Sequence, residues 1–350
     1  MMTASAVPLT LPAGIRIGHA ADPGLNSGVT IILPDEPCIA SVHVAGGGPG
    51  TRETDLLRPE GIVERVDAIV LSGGSAFGLA AADGVSAWLA EHGRGYQVGA
   101  IRVPIVPAAI LFDLASAGDK RAIPGMGGPN MASKNARSPY FDLGWQACEA
   151  ARPTTGQGTI GAGTGATTAD LKGGFGAASD RLSGGAIVTA LAAVNSLGQV
   201  TFGEGPHFRA APYERDGEFG GLGLPAKPPA GATATRTKLD ARPRANTTLA
   251  VIATDLALTK AQARQLAITA HDGIALAVYP AHTPLDGDTV FALSTGNKPL
   301  AGDPLAVLTE LGAAAVSTLA RAIARAVFEA LPVPGDTVPA WQERFANAGK

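Results

Sequence analysis

The stretch Pro284-Leu285-Asp286-Gly287-Asp288 sets two carboxylates two residues apart around a glycine, where a run of strand-forming residues begins. The same composition suits an ordinary turn or a calcium-like acidic loop, and the spacing alone leaves these open. A second oddity is Asn246-Thr247-Thr248. This small polar run opens a segment of Leu, Val and Ile directly after a linker rich in Pro, Ala and Gly (Gly223 to Pro243). By pattern it is a glycosylation sequon, which means nothing without a secretory leader, and Asn also commonly ends a loop. A third stretch, Ser72 to Gly78 (SGGSAFG), lies where a strand should turn into a helix, as a nucleophile elbow would. Phe77, however, stands in place of the last glycine of G-x-S-x-G. An α/β-hydrolase using Ser75 is therefore weaker than a close-packed turn whose Gly74 and Ser75 line a pocket.

Other motifs fall away on physical grounds. Gly161 to Ala166 (GAGTGA) matches the dinucleotide pattern in form, but no good helix follows to face a pyrophosphate. Gly46 to Asp55 (GGGPGTRETD) lacks the Gly-Lys-Ser/Thr ending of a phosphate-binding loop. The histidines are scattered, with His271 in a predicted helix and His282 in a loop. Cys38 and Cys148 fit no ligand spacing and read as buried thiols. Neither a metal nor a cofactor is expected.

The elements that must position these residues are partly legible. Gly28 to Pro34 and Cys38 to Ala45 read as strands. Ala68 to Gly93 passes from a strand through a glycine turn into an Ala-rich helix that stops at Gly93. Gly185 to Phe202 reads as two strands around a turn at Asn195-Ser196. Beyond the linker the order is strand, helix, strand, helix. The first helix opens on a capping box of Thr259 and Gln262. The second is capped by Asp303, has Pro304 in its first turn, and carries a predicted buried stripe of Leu305, Leu308, Gly312, Leu319 and Ile323. Two strands cannot easily make an independent domain, so they are expected to join a sheet built by the first part. That gives a single α+β domain, residues 1–350, as a layered αββα sandwich.

Composition bounds the rest. Of 350 residues, 46% are hydrophobic and 16% charged, the balance of a globular chain able to bury a large core. A net charge of −3 with no basic run argues against nucleic acid and anionic membrane as partners. Glycine numbers 46, about twice the usual share of roughly 7%. No secretory leader is visible and no apolar run reaches about 18 residues. Cytoplasmic residence is the expectation, and the cysteine usage suits a reducing compartment.

Taken together, these segments resemble one family, the DmpA-type aminopeptidases (L-aminopeptidase/D-esterase family), which includes the nylon-oligomer endo-amidases. The resemblance runs from about Ile15 to Phe328. It rests on LSGGSAFGLAAADGV, GAGTGATTADLKGGFGAAS and ALAAVNSLGQV in the first part and NTTLAVIATD with HTPLDGDTVFALSTG in the second. It implies a precursor that cuts its own backbone between Asn246 and Thr247. The products would be an α subunit of residues 1–246 and a β subunit of 247–350, headed by a Thr nucleophile. The implied chemistry is self-consistent. A hydroxyl one residue after a strained carbonyl can attack it in an N-to-O acyl shift, and water then opens the ester. The freed α-amine, with a reference pKa of about 7.7–8.0, can act as a base.

By the same resemblance Lys172 lies close to the nucleophile, Asn195 supplies an oxyanion-hole donor, and Asp286 and Asp288 orient the nucleophile's hydroxyl and amine. Phe112 stands where some members carry a Tyr, so a pocket hydroxyl is missing, and Asp113 is the only acid in that segment. The expected activity is hydrolysis of a small peptide or amide, aminopeptidase-like. An endo-amidase acting on polyamide oligomers is the alternative, and acetyl transfer of the ornithine acetyltransferase type the alternative from another class. A homo-oligomer, tetrameric, of processed heterodimers is implied as well.

Overall fold

Every side chain from Thr247 to Leu256 is buried. Such a strand can only lie inside a sheet covered on both faces, and the computed structural model, which describes residues 8–127, 137–238 and 246–346, places it so. In chain order the strands are β1 (Ile15–Asp22), β2 (Ser27–Pro34), β3 (Cys38–Val44), β4 (Thr51–Arg52), β5 (Arg65–Val66), β6 (Ile69–Ser72), β7 (Tyr96–Val98), β8 (Ile101–Val103), β9 (Ala108–Ile110), β10 (Gly174–Arg181), β11 (Ile187–Asn195), β12 (Thr247–Leu256) and β13 (Thr289–Lys298). The helices are α1 (Ala81–Glu91), α2 (Pro139–Glu149), α3 (Lys260–Ala277), α4 (Pro304–Phe328) and the short α5 (Trp341–Arg344).

Two mixed sheets form the centre. One runs β1-β2-β6-β9-β4 and the other β10-β11-β12-β13-β3-β5. The late strands β12 and β13 thus sit between strands of the first part, as expected. Alternation divides their side chains between two cores. Leu249, Val251 and Ala253 point between the sheets, with Phe291 and Leu293 of β13 and Ile17 and Ile32 of the other sheet. Ala250, Ile252 and Leu256 point to the outer face, under α3 and α4. The outer face of the first sheet is covered by α1 and α2. The order is therefore helices, sheet, sheet, helices, the αββα arrangement.

The caps hold as expected: Thr259 and Gln262 form the capping box of α3, and the Asp303 side chain accepts from the Leu305 amide. Gly93 follows α1 at φ +67°, and both cysteines are buried. Two expectations fail. After Asn195 the chain does not return as a strand; Gln199 and Thr201 make only isolated bridges, to Tyr279 and Phe208, because the far side of β11 is already taken by β12. Leu305 is exposed, since the first turn of α4 runs beyond the sheet it covers further along. By length and hydropathy α4 would suffice to cross a bilayer, but most of it is buried in the fold. There Arg321 and Arg325 pair with the buried Glu218 carboxylate.

Candidate active site

Sheet register assembles the site from residues far apart in sequence. Asn195, the last residue of β11, is the antiparallel partner of Thr247, the first of β12. On the other side β13 runs parallel to β12, and the preceding Asp286 bridges Asn246. Asn195, Thr247 and the Asp286-Gly287-Asp288 turn are thus three neighbours across one edge of the sheet. All are buried.

The Asn246–Thr247 peptide bond is held between two donors. The Thr247 hydroxyl donates to the Asn246 carbonyl oxygen at 2.5 Å, and the Gly287 amide donates to the same oxygen at 2.8 Å. That carbonyl is polarised where an incoming oxygen would attack, the electrostatic condition for a tetrahedral intermediate. The Asn246 side chain is 1% exposed, and among the described residues its amide oxygen and nitrogen find no partner. An unpaired buried polar group costs roughly 1–3 kcal/mol, so the segment entering the site is held at some expense.

The two carboxylates are anchored differently from the expectation that they orient the hydroxyl and amine of Thr247. Asp286 accepts from the Thr283 amide and hydroxyl (2.9 and 2.7 Å) and from the Leu197 amide (3.3 Å). Asp288 accepts from the Thr248 amide at 2.7 Å and, on its other oxygen, from the His282 amide at 3.1 Å. Neither carboxylate hydrogen-bonds Thr247 among the described residues, and the Thr247 nitrogen is here an amide inside an intact chain and not a free amine. Burial first, and the charge of Asp288 second, push the pKa of Asp286 above the usual carboxylate range.

The Asn195 side chain is pinned at both ends. Its Oδ1 accepts from the Thr167 amide (3.0 Å) and from Lys238 Nζ (3.0 Å), and its Nδ2 donates to the Phe112 carbonyl at 3.1 Å. Two donors facing one atom and an acceptor facing the other fix which end is the amide nitrogen. One N–H of Nδ2 is spent on Phe112, which leaves the second for an oxyanion. Phe112 therefore enters the site through its backbone. Leu111 accepts from the Ser75 amide at 2.9 Å, and Asp113 accepts from the Gly74 amide at 2.7 Å. The Gly74-Ser75 turn is in this way tied to the segment that holds Asn195. Gly74 has φ +81°, and a Cβ there would lie 2.1 Å from the Tyr140 ring, so both backbone and space require glycine. Asp113 also accepts from Ser27 Oγ at 2.6 Å and is 2% exposed; it braces this turn.

Lys172 makes no hydrogen bond to Thr247 among the described residues. Its ammonium is ion-paired with Asp336 (2.6 and 2.7 Å) and is 1% exposed. It adjoins the site through Thr167, its bridge partner, whose amide holds Asn195. Among the described residues no hydrogen bond joins Lys172 to the nucleophile candidate, and no cluster of three or more His, Cys, Asp or Glu could hold a metal.

Two features escaped the sequence reading. The Gly46 to Gly50 run, set aside as no phosphate loop, packs along the acidic turn: Ala45 donates to the Asp288 carbonyl (3.0 Å) and Gly48 to the Asp286 carbonyl (2.8 Å). Its glycine density was the available signal, since a Cβ at Gly46 would lie 2.1 Å from the Asp286 carbonyl oxygen. The other is Lys238, which is 5% exposed and reaches the Asn195 carbonyl (3.1 Å) as well as its side chain. A lysine inside a Pro/Ala/Gly linker carries no pattern to mark it. The end of that linker, 239–245, lies outside the described residues.

Residues 9–338 match the family described as Peptidase family S58. An uncharacterised aminopeptidase of Mycobacterium tuberculosis (strain ATCC 25618 / H37Rv) is 44% identical over 360 aligned positions, covering 97% of this chain and 98% of the relative. A 6-aminohexanoate-oligomer endohydrolase of Agromyces sp. (strain KY5R) is 28% identical, covering 81% of this chain and 73% of the relative. Among solved structures, the L-aminopeptidase D-Ala-esterase/amidase of Ochrobactrum anthropi superposes with a TM-score of 0.65 at 20% identity, covering 97% of this chain and 96% of that one. A Burkholderia sp. beta-aminopeptidase superposes with a TM-score of 0.63 at 21% identity, covering 97% and 93%. At those identities the superpositions speak for the fold.

Proposed function

Given that this chain belongs to peptidase family S58 and is a hydrolase of amide bonds, we propose that it is a self-processing one whose nucleophile is Thr247, freed by cleavage after Asn246. The observation that carries this reading is the contact of the Thr247 hydroxyl with the Asn246 carbonyl, polarised from the other side by the Gly287 amide. Attack of Oγ1 on that carbonyl carbon breaks the C–N bond, transfers the Asn246 acyl group to oxygen and leaves the nitrogen as an amine. Water then hydrolyses the ester and restores the hydroxyl. The same hydroxyl, activated by its own amine, next attacks a substrate amide. Asn195 is assigned the oxyanion, with the N–H that Phe112 does not use. Lys172, held by Asp336, is assigned a supporting electrostatic role, and the Gly74-Ser75 turn and Phe112 the wall of the substrate pocket.

Aminopeptidase-like attack on short peptides or amides is the favoured activity, because the relative with higher identity over nearly the full length carries that name. Endo-attack on polyamide oligomers is the second reading, favoured by the similarity to the 6-aminohexanoate-oligomer endohydrolase. The assembly is proposed as a homo-oligomer, supported by the β7–β8 hairpin. There Tyr96 pairs with Val103 and Val98 with Ile101, so four exposed apolar side chains share one face.

Thr247→Ala tests the central claim. The variant should remain one chain of 35.1 kDa by intact mass and hydrolyse nothing, whereas Thr247→Ser should still split. Normal processing of Thr247→Ala would overturn the assignment.

A further inference from the structure

Behind the acidic turn three histidines from three elements lie ring to ring. His43 of β3 meets His271 of α3 with centroids 5.0 Å apart, and His271 meets His282 of the loop before β13 at 4.9 Å, both edge to face. The proposed function leaves them without a role. Their hydrogen bonds set them in order. His271 Nε2 faces the His43 carbonyl at 3.0 Å while its Nδ1 is buried without a partner, which is the pattern of a neutral ring. His282 differs. Its Nδ1 faces Asp288 Oδ2 at 2.8 Å and its Nε2 faces the His271 carbonyl at 3.3 Å. Both ring nitrogens thus meet oxygen acceptors, and only the imidazolium has an N–H for each.

The acceptor matters. Asp288 is 2% exposed, and a buried carboxylate needs donors on both oxygens. One oxygen takes the Thr248 amide, the residue after the proposed nucleophile. The other is held wholly by His282, through its backbone amide and its ring. We propose that His282 is a positioning residue: its imidazolium fixes the Asp288 carboxylate, and through it the head of β12 that carries Thr247. This rests on the reading of Thr247 as nucleophile and adds to it a cation that titrates one carboxylate away from the reacting group.

The groups facing His282 are Asp288 and Asp286 of its own loop, His271 of α3, whose carbonyl it meets, and His43 of β3, itself beside Arg264. Burial, the largest influence, draws the His282 pKa down. The hydrogen bond and charge of Asp288, helped by the His271 carbonyl and Asp286, outweigh it and leave His282 above the ordinary imidazole value. His271, dominated by burial, is pulled down to about 4 and stays neutral. The ion pair is therefore complete below the raised His282 pKa and is lost as pH rises through it.

The backbone supplies a discriminating variant. His282 has φ +55°, a conformation that Asn tolerates far better than Ala. Asn also places an N–H where Nδ1–H lies, yet cannot titrate. The experiment is the pH profile of kcat and KM for processed wild type, His282→Asn and His282→Ala on a chromogenic amino-acid anilide, with self-cleavage followed on the same preparations. His282→Ala should lose about tenfold or more in kcat, on the scale of a lost charge-assisted hydrogen bond, with KM changed by less. His282→Asn should recover most of that loss and lack the alkaline limb that wild type shows, while keeping the acid limb of the amine. If His282→Ala fails to fold or process, the Asn variant carries the test alone through the missing limb. A wild-type alkaline limb unchanged in His282→Asn, or kcat of His282→Ala within about threefold of wild type, would overturn the proposal. Neither outcome touches the Thr247 assignment, which rests on the separate cleavage test.

Discussion

Gly287→Ala asks whether the amide that meets the scissile carbonyl sits where self-cleavage needs it. Gly287 is buried between the two aspartates, and its φ lies outside the left-handed region, so alanine is not opposed by backbone conformation. Space opposes it. A Cβ there would lie 2.7 Å from Thr247 Oγ1, 2.8 Å from the Gly48 carbonyl oxygen and 3.2 Å from Pro49 Cα. Two of the three obstacles are backbone of the glycine run that packs on the turn, so the atom free to move is the proposed nucleophile. Overpacking of this kind costs about 1–3 kcal/mol. If that cost falls on the cleavage transition state, at about 1.36 kcal/mol per tenfold, cleavage slows by about 5- to 150-fold. The assay is a time course of precursor and fragments by gel and intact mass after rapid purification, with the melting temperature measured alongside. Gly184→Ala is the control, because nothing lies within 4 Å of a Cβ there. Processing of Gly287→Ala within twofold of wild type would show that the turn does not crowd the hydroxyl, and the proposed attack geometry would fall with it.

Three further outcomes follow from the same contacts. Asn195→Ala should lower kcat of the processed enzyme by roughly 10²–10³-fold with a smaller change in KM, as for other oxyanion-hole donors; a kcat within about threefold of wild type would reduce Asn195 to a brace for Phe112 and Thr167. Lys238→Met should slow self-cleavage more than it lowers kcat of material already cut, because Lys238 grips Asn195 from the linker ahead of the cleavage point, and equal losses in both rates would count against that order. Ile101→Glu on the apolar face of the β7–β8 hairpin should lower the assembly mass measured by light scattering, and an unchanged mass would remove that face from the proposed interface.

The parts of this protein that could be read ahead of its structure are those whose cause is local. The Thr259–Gln262 capping box, Asp303 before Pro304 and the glycine turn after β6 each announce themselves within a few residues. So does the need for β12 and β13 to find partners, since two strands cannot close a core. What could not be read depends on register. Asn195 and Thr247 are neighbours because β11 and β12 pair antiparallel with a particular offset, and a shift of β12 by one residue would part them and turn Thr247 to the other face. Lys172 meets Asp336 at a separation of 164 residues, which no spacing rule covers. The resemblance could name Lys172 without saying what holds it, and it gave no hint that Asp288 would spend one oxygen on Thr248 and the other on His282. Phe112 shows the reverse case: its sequence signal is a missing Tyr hydroxyl, while the structure uses the carbonyl, which any residue there would supply.

On the proposed reading, the acidic turn also explains why cutting the chain in place would suit this sheet. A free α-amine at the head of a central strand is a charge that would have to be desolvated during folding, and buried charges are tolerated only when paired. In the intact chain no such charge exists, and strand β12 can enter the sheet as ordinary backbone. Asp286 and Asp288 are buried side by side in that chain, and burial first, then the charge of Asp288, raises the Asp286 pKa. On the proposed reading, cleavage then creates an ammonium at Thr247, beside the bridge that joins Asn246 to Asp286. The new cation meets carboxylates already in place, and the orphaned Asn246 amide gains a chain end through which it can leave. On that reading the order of events, folding first and charge second, would let one buried position serve as strand interior during folding and as nucleophile afterwards.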